Sequence, residues 1–295
     1  MNDKIIVLTP AYEDSESLKI LADVLYRQFK ENLYLIVMDD CSSKKIMKDA
    51  VFPVGLDGVV VNLKHNVGSQ AAIAVGLKYI KFISDKRDLE YQKIVVMDSD
   101  GEDRPESIKE LLSNLVKTGS KAQHSNQCVV SSRKSRKNDI FFKFFYSIYK
   151  VVFYILTGRL MNFGNFMVIN KIGLDAIINT KTSQIHLASS LMSSGVSYST
   201  VPQDRGERYR GKSKMNFSSL TNHALNSFLV CKDRICARLF VLWLLVGLGL
   251  SFDVSQMTYP TILLILFGIF LQFKFVTTVT LANRKIKNLV SFNIN

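Results

Sequence analysis

The chain has 295 residues, 47% of them hydrophobic, with 38 Lys or Arg against 25 Asp or Glu and a formal net charge of +13. That length suits one large or two modest domains with a full core, and the excess of base implies an anionic partner: nucleic acid, a phosphorylated substrate or an acidic membrane surface. Cys41, Cys128, Cys231 and Cys236 form no C-x-x-C pair and have no His at zinc spacing, which fits reduced, buried thiols facing the cytosol.

The first 120 or so residues alternate strand-like and helix-like segments. "KIIVLTPAY" is a short apolar run ended by Pro10, too short for a signal peptide. Leu18, Leu21, Leu25 and Phe29 then repeat at helical spacing, with Ser15 as the expected N-cap. Leu33–Met38 reads as a second buried strand ending in Asp39 and Asp40, and "GVVVNL" as a third. "NVGSQAAIAVGLKYIKF" reads as a helix rich in small residues, "KIVVMDSD" as a fourth strand, and a helix follows from about Pro105, a residue suited to a first turn. This order predicts a doubly wound α/β domain with a largely parallel sheet. In such sheets ligands bind beyond the carboxyl ends of the strands, where Pro10–Tyr12, Asp39–Asp40 and Asp98–Asp103 all fall.

The stretch Asp98–Asp103 sets four carboxylates within six residues, an arrangement that needs a cation or a basic partner among them. An EF-hand is rejected, because its sixth and twelfth positions, counted from Asp98, hold Asp103 and Lys109 instead of Gly and Glu. A solvated acidic turn and a hard divalent cation, Mg²⁺ or Mn²⁺ held with substrate phosphates, remain.

Two basic segments follow. Between Arg133 and Arg159 lie seven Lys or Arg and one acid, and between Arg205 and Lys214 five and one. In the helix 141–156, Lys143, Ser147 and Lys150 make one narrow polar stripe on an otherwise apolar cylinder. A helix lying at a membrane interface and a core helix fit that profile equally; a nucleic-acid-binding domain fits it less well. The C-terminal region has two apolar spans, about 235–252 and 259–281, interrupted by Arg238 and Lys274. Their lengths approach what a bilayer core requires of a helix, and a buried hairpin in a soluble domain is the alternative. Lys232, Arg234 and Arg238 precede the first span, Arg284, Lys285 and Lys287 follow the second, and the connecting loop carries only Asp253. By the positive-inside rule a multi-pass membrane protein results, with the domain 1–230 and both termini cytoplasmic and 231–295 as its anchor.

The motifs taken together resemble family-2 glycosyltransferases with a GT-A fold, within them the membrane-anchored branch that includes dolichyl- and polyprenyl-phosphate sugar synthases. "TPAYED" is similar to that family's P-x-Y-N-E start, "MDDCSS" to its V-D-D-x-S strand end, "NVGSQAA" to its N-x-G donor loop, "DSDGED" to its D-x-D metal motif and "GERYRGKSKM" to its E-R-x-x-G-x-S-K segment. The resemblance covers roughly residues 4–220, and the paired terminal helices extend it. It implies that Pro10, Tyr12, Asp14, Asp40, Asn66, Gly68 and Asp98 bind a nucleotide diphosphate sugar. Asp100, with Glu102, would hold the metal, and Asp103 would pair with Arg104 or cap the next helix. Arg133, Lys143 and Arg208 would contact phosphates, with Asp98, Asp100 and Arg208 as the catalytic set. "MNFGNFMVINK" departs from the branch, since Asn165 and Met167 replace an Asp and an Arg. Asn is no general base, which leaves Asp204 and His186 as weak candidates.

The function so implied is metal-dependent, inverting transfer of a sugar to a membrane lipid, with polyprenyl phosphate as acceptor and no nucleic-acid partner; a homo-oligomer is open. A transferase acting on a sugar hydroxyl of a lipid-linked glycan is the runner-up, and a non-catalytic nucleotide-sugar-binding membrane protein a third reading.

Overall fold

A computed structural model of the chain describes residues 4–86, 91, 93–117, 127–133, 140–180, 182–211, 217–249 and 258–287. The N-terminal half follows the expected alternation: β1 (Ile5–Ala11), α1 (Ser15–Phe29), β2 (Leu33–Asp39), the single turn α2 (Lys48–Val51), β3 (Asp57–Asn62), α3 (Ser69–Asp85), β4 (Lys93–Val96) and α4 (Ile108–Lys117). Then come β5 (Cys128–Arg133), α5 (Ile140–Thr157), β6 (Phe163–Asn170), α6 (Lys171–Asn179), α7 (Leu187–Ser193), β7 (Tyr198–Gln203), α8 (Phe217–Val230), α9 (Lys232–Gly249) and α10 (Thr258–Lys287).

The seven strands form one sheet in the order β3-β2-β1-β4-β6-β5-β7. Neighbours β3, β2, β1 and β4 are mutually parallel, and β7 is parallel to β5. Only β6 runs against its neighbours, β4 and β5. Two reversals cancel, so β5 and β7 end on the same edge as β1 to β4. The sheet is therefore mixed but mostly parallel. The strand β6 carries no turn or crossover signal in the sequence that would announce its reversed direction.

Successive strand residues point to opposite faces, and the core divides accordingly. Ile6, Leu8, Ile94 and Val96 face α3 and α6 in one cluster, while Val7, Val95 and Val129 face α1 and α4 in the other. The small-residue stretch of α3 has a packing cause. A Cβ on Gly76 would stand 2.4 Å from Leu8 Cδ1, so the helix backbone lies directly on β1. At α1, Asp14 and not Ser15 occupies the N-cap position, and its carboxylate makes no cap bond; it is used elsewhere, as described below.

The C-terminal helices depart in detail from the two expected spans. Ile235, where the first span was expected to begin, is 2% exposed inside the domain core. Arg238 does not sit in an apolar span: its Nη1 donates to the carbonyl of Ile155 at 3.1 Å, satisfying an end carbonyl of α5. The first turns of α9 thus belong to the domain. Among the described residues one helix is long and apolar enough to cross a membrane, Thr258–Arg284 in α10, with mean hydropathy 2.2 and 6% of its most apolar window buried. The helices α9 and α10 pack on each other, yet Phe240, Leu245, Leu263 and Phe273 remain exposed. Leu271 and Ile286 of α10 nevertheless join the domain core, and Gln184 donates to Asn283. The connecting loop, with Asp253, and the C-terminal residues 288–295 lie outside the described residues.

The helix α5 is neither wholly core nor wholly free. Phe153 is fully buried against Phe228 of α8, with ring centroids 5.3 Å apart. Ile148, Val151, Val152, Tyr154 and Ile155 face outward and exposed.

Candidate active site

The shared edge where β1, β2, β4 and β7 end brings four loops together. At β2, Asp39 accepts from the amide and hydroxyl of Ser42 and the amide of Ile46, so it shapes its own loop. Asp40 is 3% exposed. Its two carboxylate oxygens accept from Val67 N at 2.7 Å and Gly68 N at 2.8 Å, while Asn66 Nδ2 donates to its carbonyl. One carboxylate thereby fixes the loop that leads into α3. Gly68 sits at φ 85°, a left-handed position that suits glycine. Pro10 lies inside β1, paired with Met38, and Tyr12 is 44% exposed beyond the strand end.

The acidic turn is organised by its own neighbours. Asp103 Oδ2 accepts from Asp98 N at 2.9 Å, closing the turn, and Arg104 stands by Glu106. Asp100 Oδ1 accepts from Glu102 N at 2.9 Å. Ser99 Oγ donates to Asp14 Oδ2 at 3.1 Å, tying the end of β4 to the end of β1.

The basic partner that so many acids require comes from the segment after β7. Arg208 Nη2 stands 2.8 Å from Asp100 Oδ2, Arg208 Nε is 3.3 Å from Glu102 Oε1, and Arg205 pairs with Glu102. The Nε of Arg208 is buried and has no hydrogen-bond partner, so its approach to Glu102 is an ion pair off the bonding line. Backbone bonds stitch the two segments together, Gly206 N to Glu102 O at 2.9 Å and Tyr209 N to Asp100 O at 2.8 Å. The ring of Tyr209 lies on Gly101, where a Cβ would come within 2.8 Å of it. Burial chiefly, with Glu106 and Asp100 nearby, pushes the Tyr209 phenol pKa up.

Of the remaining expected residues, Arg133 is the last residue of β5 and Lys143 lies in α5, and the side chains of both fall outside the described residues. Lys212 to Asn216 do so entirely. Asp204 is exposed just after β7. His186 is buried; its Nδ1 accepts from Ser189 N at 3.1 Å as the N-cap of α7, and its ring lies 4.4 Å from that of His223. Burial first, and His223 second, hold its pKa well below the usual histidine value. With Nδ1 accepting, the neutral ring carries its proton on Nε2, and no lone pair is left for a base. Met167 is fully buried between Val96 and Val130. The pairing of β4 with β6 ends at Val96 and Met167, and Asn165 lies in β6 beyond that pair.

Sequence reasoning assigned no role to Arg205, to the Tyr209 ring or to the Ser99–Asp14 bond. Arg205 stood in a noted basic run, but only the fold shows which acid it meets.

A model of "Glycosyl transferase family 2" matches residues 6–172, more than half of the chain and the part that holds the acids after β1, β2 and β4. The chain belongs to glycosyl transferase family 2. It is 24% identical over 237 residues to an uncharacterized glycosyltransferase of Synechocystis sp., covering 77% of this chain and 69% of the relative. It is 28% identical over 220 residues to the uncharacterized glycosyltransferase YkoT of Bacillus subtilis, covering 72% of this chain and 57% of that relative. The fold is similar to that of glucosyl-3-phosphoglycerate synthase from Mycobacterium tuberculosis, solved with Mn²⁺, UDP-glucose and phosphoglyceric acid, at TM-score 0.55 and 14% identity over 79% of this chain and 80% of that one. The same enzyme solved with Mg²⁺ and UDP gives TM-score 0.54 at 13% identity, over 79% of each chain. For this family-2 glycosyltransferase, that likeness establishes the GT-A-like architecture.

Proposed function

We propose that this glycosyltransferase moves a sugar from a nucleotide diphosphate sugar to the phosphate of a polyprenyl lipid at a membrane surface. The observation that carries this reading is the meeting of Asp100 and Glu102 with Arg205 and Arg208 at the strand ends, in a molecule whose α5, α9 and α10 turn apolar faces outward.

In this reading Tyr12, Asp14 and the 66–68 loop line the nucleotide pocket, and Asp98 faces the ribose–phosphate side. Asp40 serves the pocket by holding the Val67 and Gly68 amides in place. Arg208 stabilises negative charge as it grows on the departing diphosphate. Its buried Nε without a partner is a donor that a phosphate oxygen would satisfy. The donor set also suits a divalent metal. Asp100 and Glu102 offer hard carboxylate oxygens on one turn, and no group of three protein ligands occurs among the described residues. One or two carboxylates completed by substrate phosphates is the mode in which Mg²⁺ binds. Bound there, the metal would act as a Lewis acid for the diphosphate. The structural neighbour solved with Mn²⁺ and UDP-glucose supports a divalent metal for this fold.

The choice of acceptor rests on a phosphate needing no general base, and none is assigned among the described residues. A phosphate monoester is largely dianionic near neutral pH, so its oxygen attacks the sugar carbon without losing a proton. A sugar hydroxyl must lose one, and a positioned base typically contributes about 10²–10⁴-fold. His186 is spent as a helix cap, and Asn165 cannot serve. Exposed apolar residues of α5, and the span in α10, suit a lipid tail and a bilayer. The anchor is then a hairpin, with the domain and both chain ends on the cytosolic side by flanking charge.

The test offers nucleotide sugars with polyprenyl phosphate and with a lipid-linked sugar, side by side. Transfer to the lipid phosphate, retained in Asp204→Asn and His186→Asn, is expected. Turnover of the lipid-linked sugar alone, lost in either variant, would replace this acceptor by a hydroxyl.

A further inference from the structure

The carboxylates assigned to the metal are the same ones that hold two guanidiniums. Arg208 stands on Asp100 and Glu102, and Arg205 on Glu102. These pairs are half-buried, with side-chain exposures of 13% for Asp100, 19% for Glu102, 27% for Arg208 and 32% for Arg205. Their formal charges balance, two carboxylates against two guanidiniums. A divalent cation entering by itself would leave the cluster with two excess positive charges. One entering with a diphosphate brings the negative charge that the arginines then need.

The backbone lets only the side chains exchange partners. Gly206 N–Glu102 O and Tyr209 N–Asp100 O lock the two segments together. Gly206 has no room for a side chain either, since a Cβ there would lie 2.4 Å from Gly101 O. The segment 205–209 is thus a fixed rim from which the guanidiniums reach the acids. Arg208 also has a reason to move, because its buried Nε lacks a hydrogen-bond partner where it stands.

We propose that Arg205 and Arg208 act as counter-ions that reserve Asp100 and Glu102, so that the metal gains these carboxylates only together with the donor diphosphate, onto which Arg208 transfers. Arg205 is the positioning residue in this device. It keeps Glu102 neutralised and competes with the metal for it. The proposal rests on the donor and metal reading above.

A site whose competent form is only fractionally populated binds its ligand more weakly by that fraction. Removing the competing cations should therefore tighten metal binding in the absence of nucleotide. The experiment titrates Mn²⁺ into the full-length protein in detergent, reading free Mn²⁺ by its paramagnetic resonance, alone and with each common nucleoside diphosphate. In the wild type, the matching diphosphate should tighten Mn²⁺ binding by about tenfold or more. Arg205→Gln and the double variant Arg205→Gln/Arg208→Gln should bind Mn²⁺ alone more tightly than wild type, the double variant by roughly tenfold. The gain from diphosphate should shrink in both. Arg205→Lys keeps the charge and should behave as wild type, and melting temperatures report that each variant is folded. Folded Arg→Gln variants that bind Mn²⁺ alone no better than wild type, while the wild type still shows the diphosphate effect, would overturn the device and leave the function standing. Absence of Mn²⁺ binding in every protein with every diphosphate would overturn both.

Discussion

Arg208 is the residue on which most of the proposed chemistry depends. It touches Asp100 and Glu102 and keeps one buried donor unsatisfied. A cation poised for charge that appears only as the bond breaks contributes more to the transition state than to ground-state binding. Arg208→Ala should lower kcat/KM by about 100-fold or more, the scale of a lost charge-stabilising donor; a change under about threefold with normal donor binding would mark it as a structural charge. Asp100→Asn keeps the acceptor of the Glu102 amide and removes the ligand charge. Transfer should vanish in this variant and in chelator-treated wild type, with melting temperature nearly unchanged. His186 makes a different prediction. Its folded pKa lies well below the ordinary 6.5 because of burial, then of His223. The unfolded chain takes up the proton first, so no penalty exists above about pH 6.5 and one grows as pH falls through that value. His186→Asn retains an N-cap acceptor and should show a shallower loss of melting temperature between about pH 7.5 and 5.5 than the wild type. An equal slope in both would place the acid sensitivity elsewhere.

At the scale of elements, the helix α3 sets how the 66–68 loop meets the sheet. Its N-terminus is fixed by Asp40 through the loop amides, and its middle lies on β1 because Gly76 leaves no side chain in the way of Leu8. Gly76→Val would force a branched side chain into that contact, a kind of overpacking that costs about 1–3 kcal/mol. Thermal denaturation should show a clear drop in melting temperature, and an unchanged value would mean that the helix can lift from the strand. The sequence made α3 legible through its small residues and helical spacing, yet gave no sign of which strand they serve. The helix α5 was ambiguous for a physical reason. Outside its narrow polar stripe, a helix packed by Phe153 on one side and apolar on the other has little contrast between those two faces, so periodicity cannot say which is covered.

For the molecule as a whole, the sheet edge and the helical appendage are joined at α9. Cys231 and Ile235 sit in the domain core, and Arg238 closes the end of α5. The appendage thus shares the domain core at the first turns of α9 and, through Leu271 and Ile286, along α10. The helix α10, 30 residues and about 45 Å long, exceeds the roughly 30 Å of a bilayer core. If the hairpin spans, reporters fused near Asn2 and after Asn295 should read the same side, and one at Ser255 the opposite side. A Ser255 reporter on the same side as the termini would turn the hairpin into an anchor that enters and leaves one leaflet.

The sequence by itself determined the α/β alternation, the strand-end acids and the family, because these rest on local periodicity and on short motifs whose residues are neighbours in the chain. It also marked an apolar C-terminus by composition alone. Only the tertiary structure decided which charges meet. Asp100 and Arg208 are 108 positions apart in the chain, and their 2.8 Å contact depends on the reversed strand β6, which returns β5 and β7 to the same edge as β4. It likewise turned His186 from a candidate base into a helix cap and Arg238 from a charge in an apolar span into a partner of α5. Those roles depend on hydrogen bonds to backbone groups that are distant in sequence or set by the local turn, and residue type alone carries no record of them.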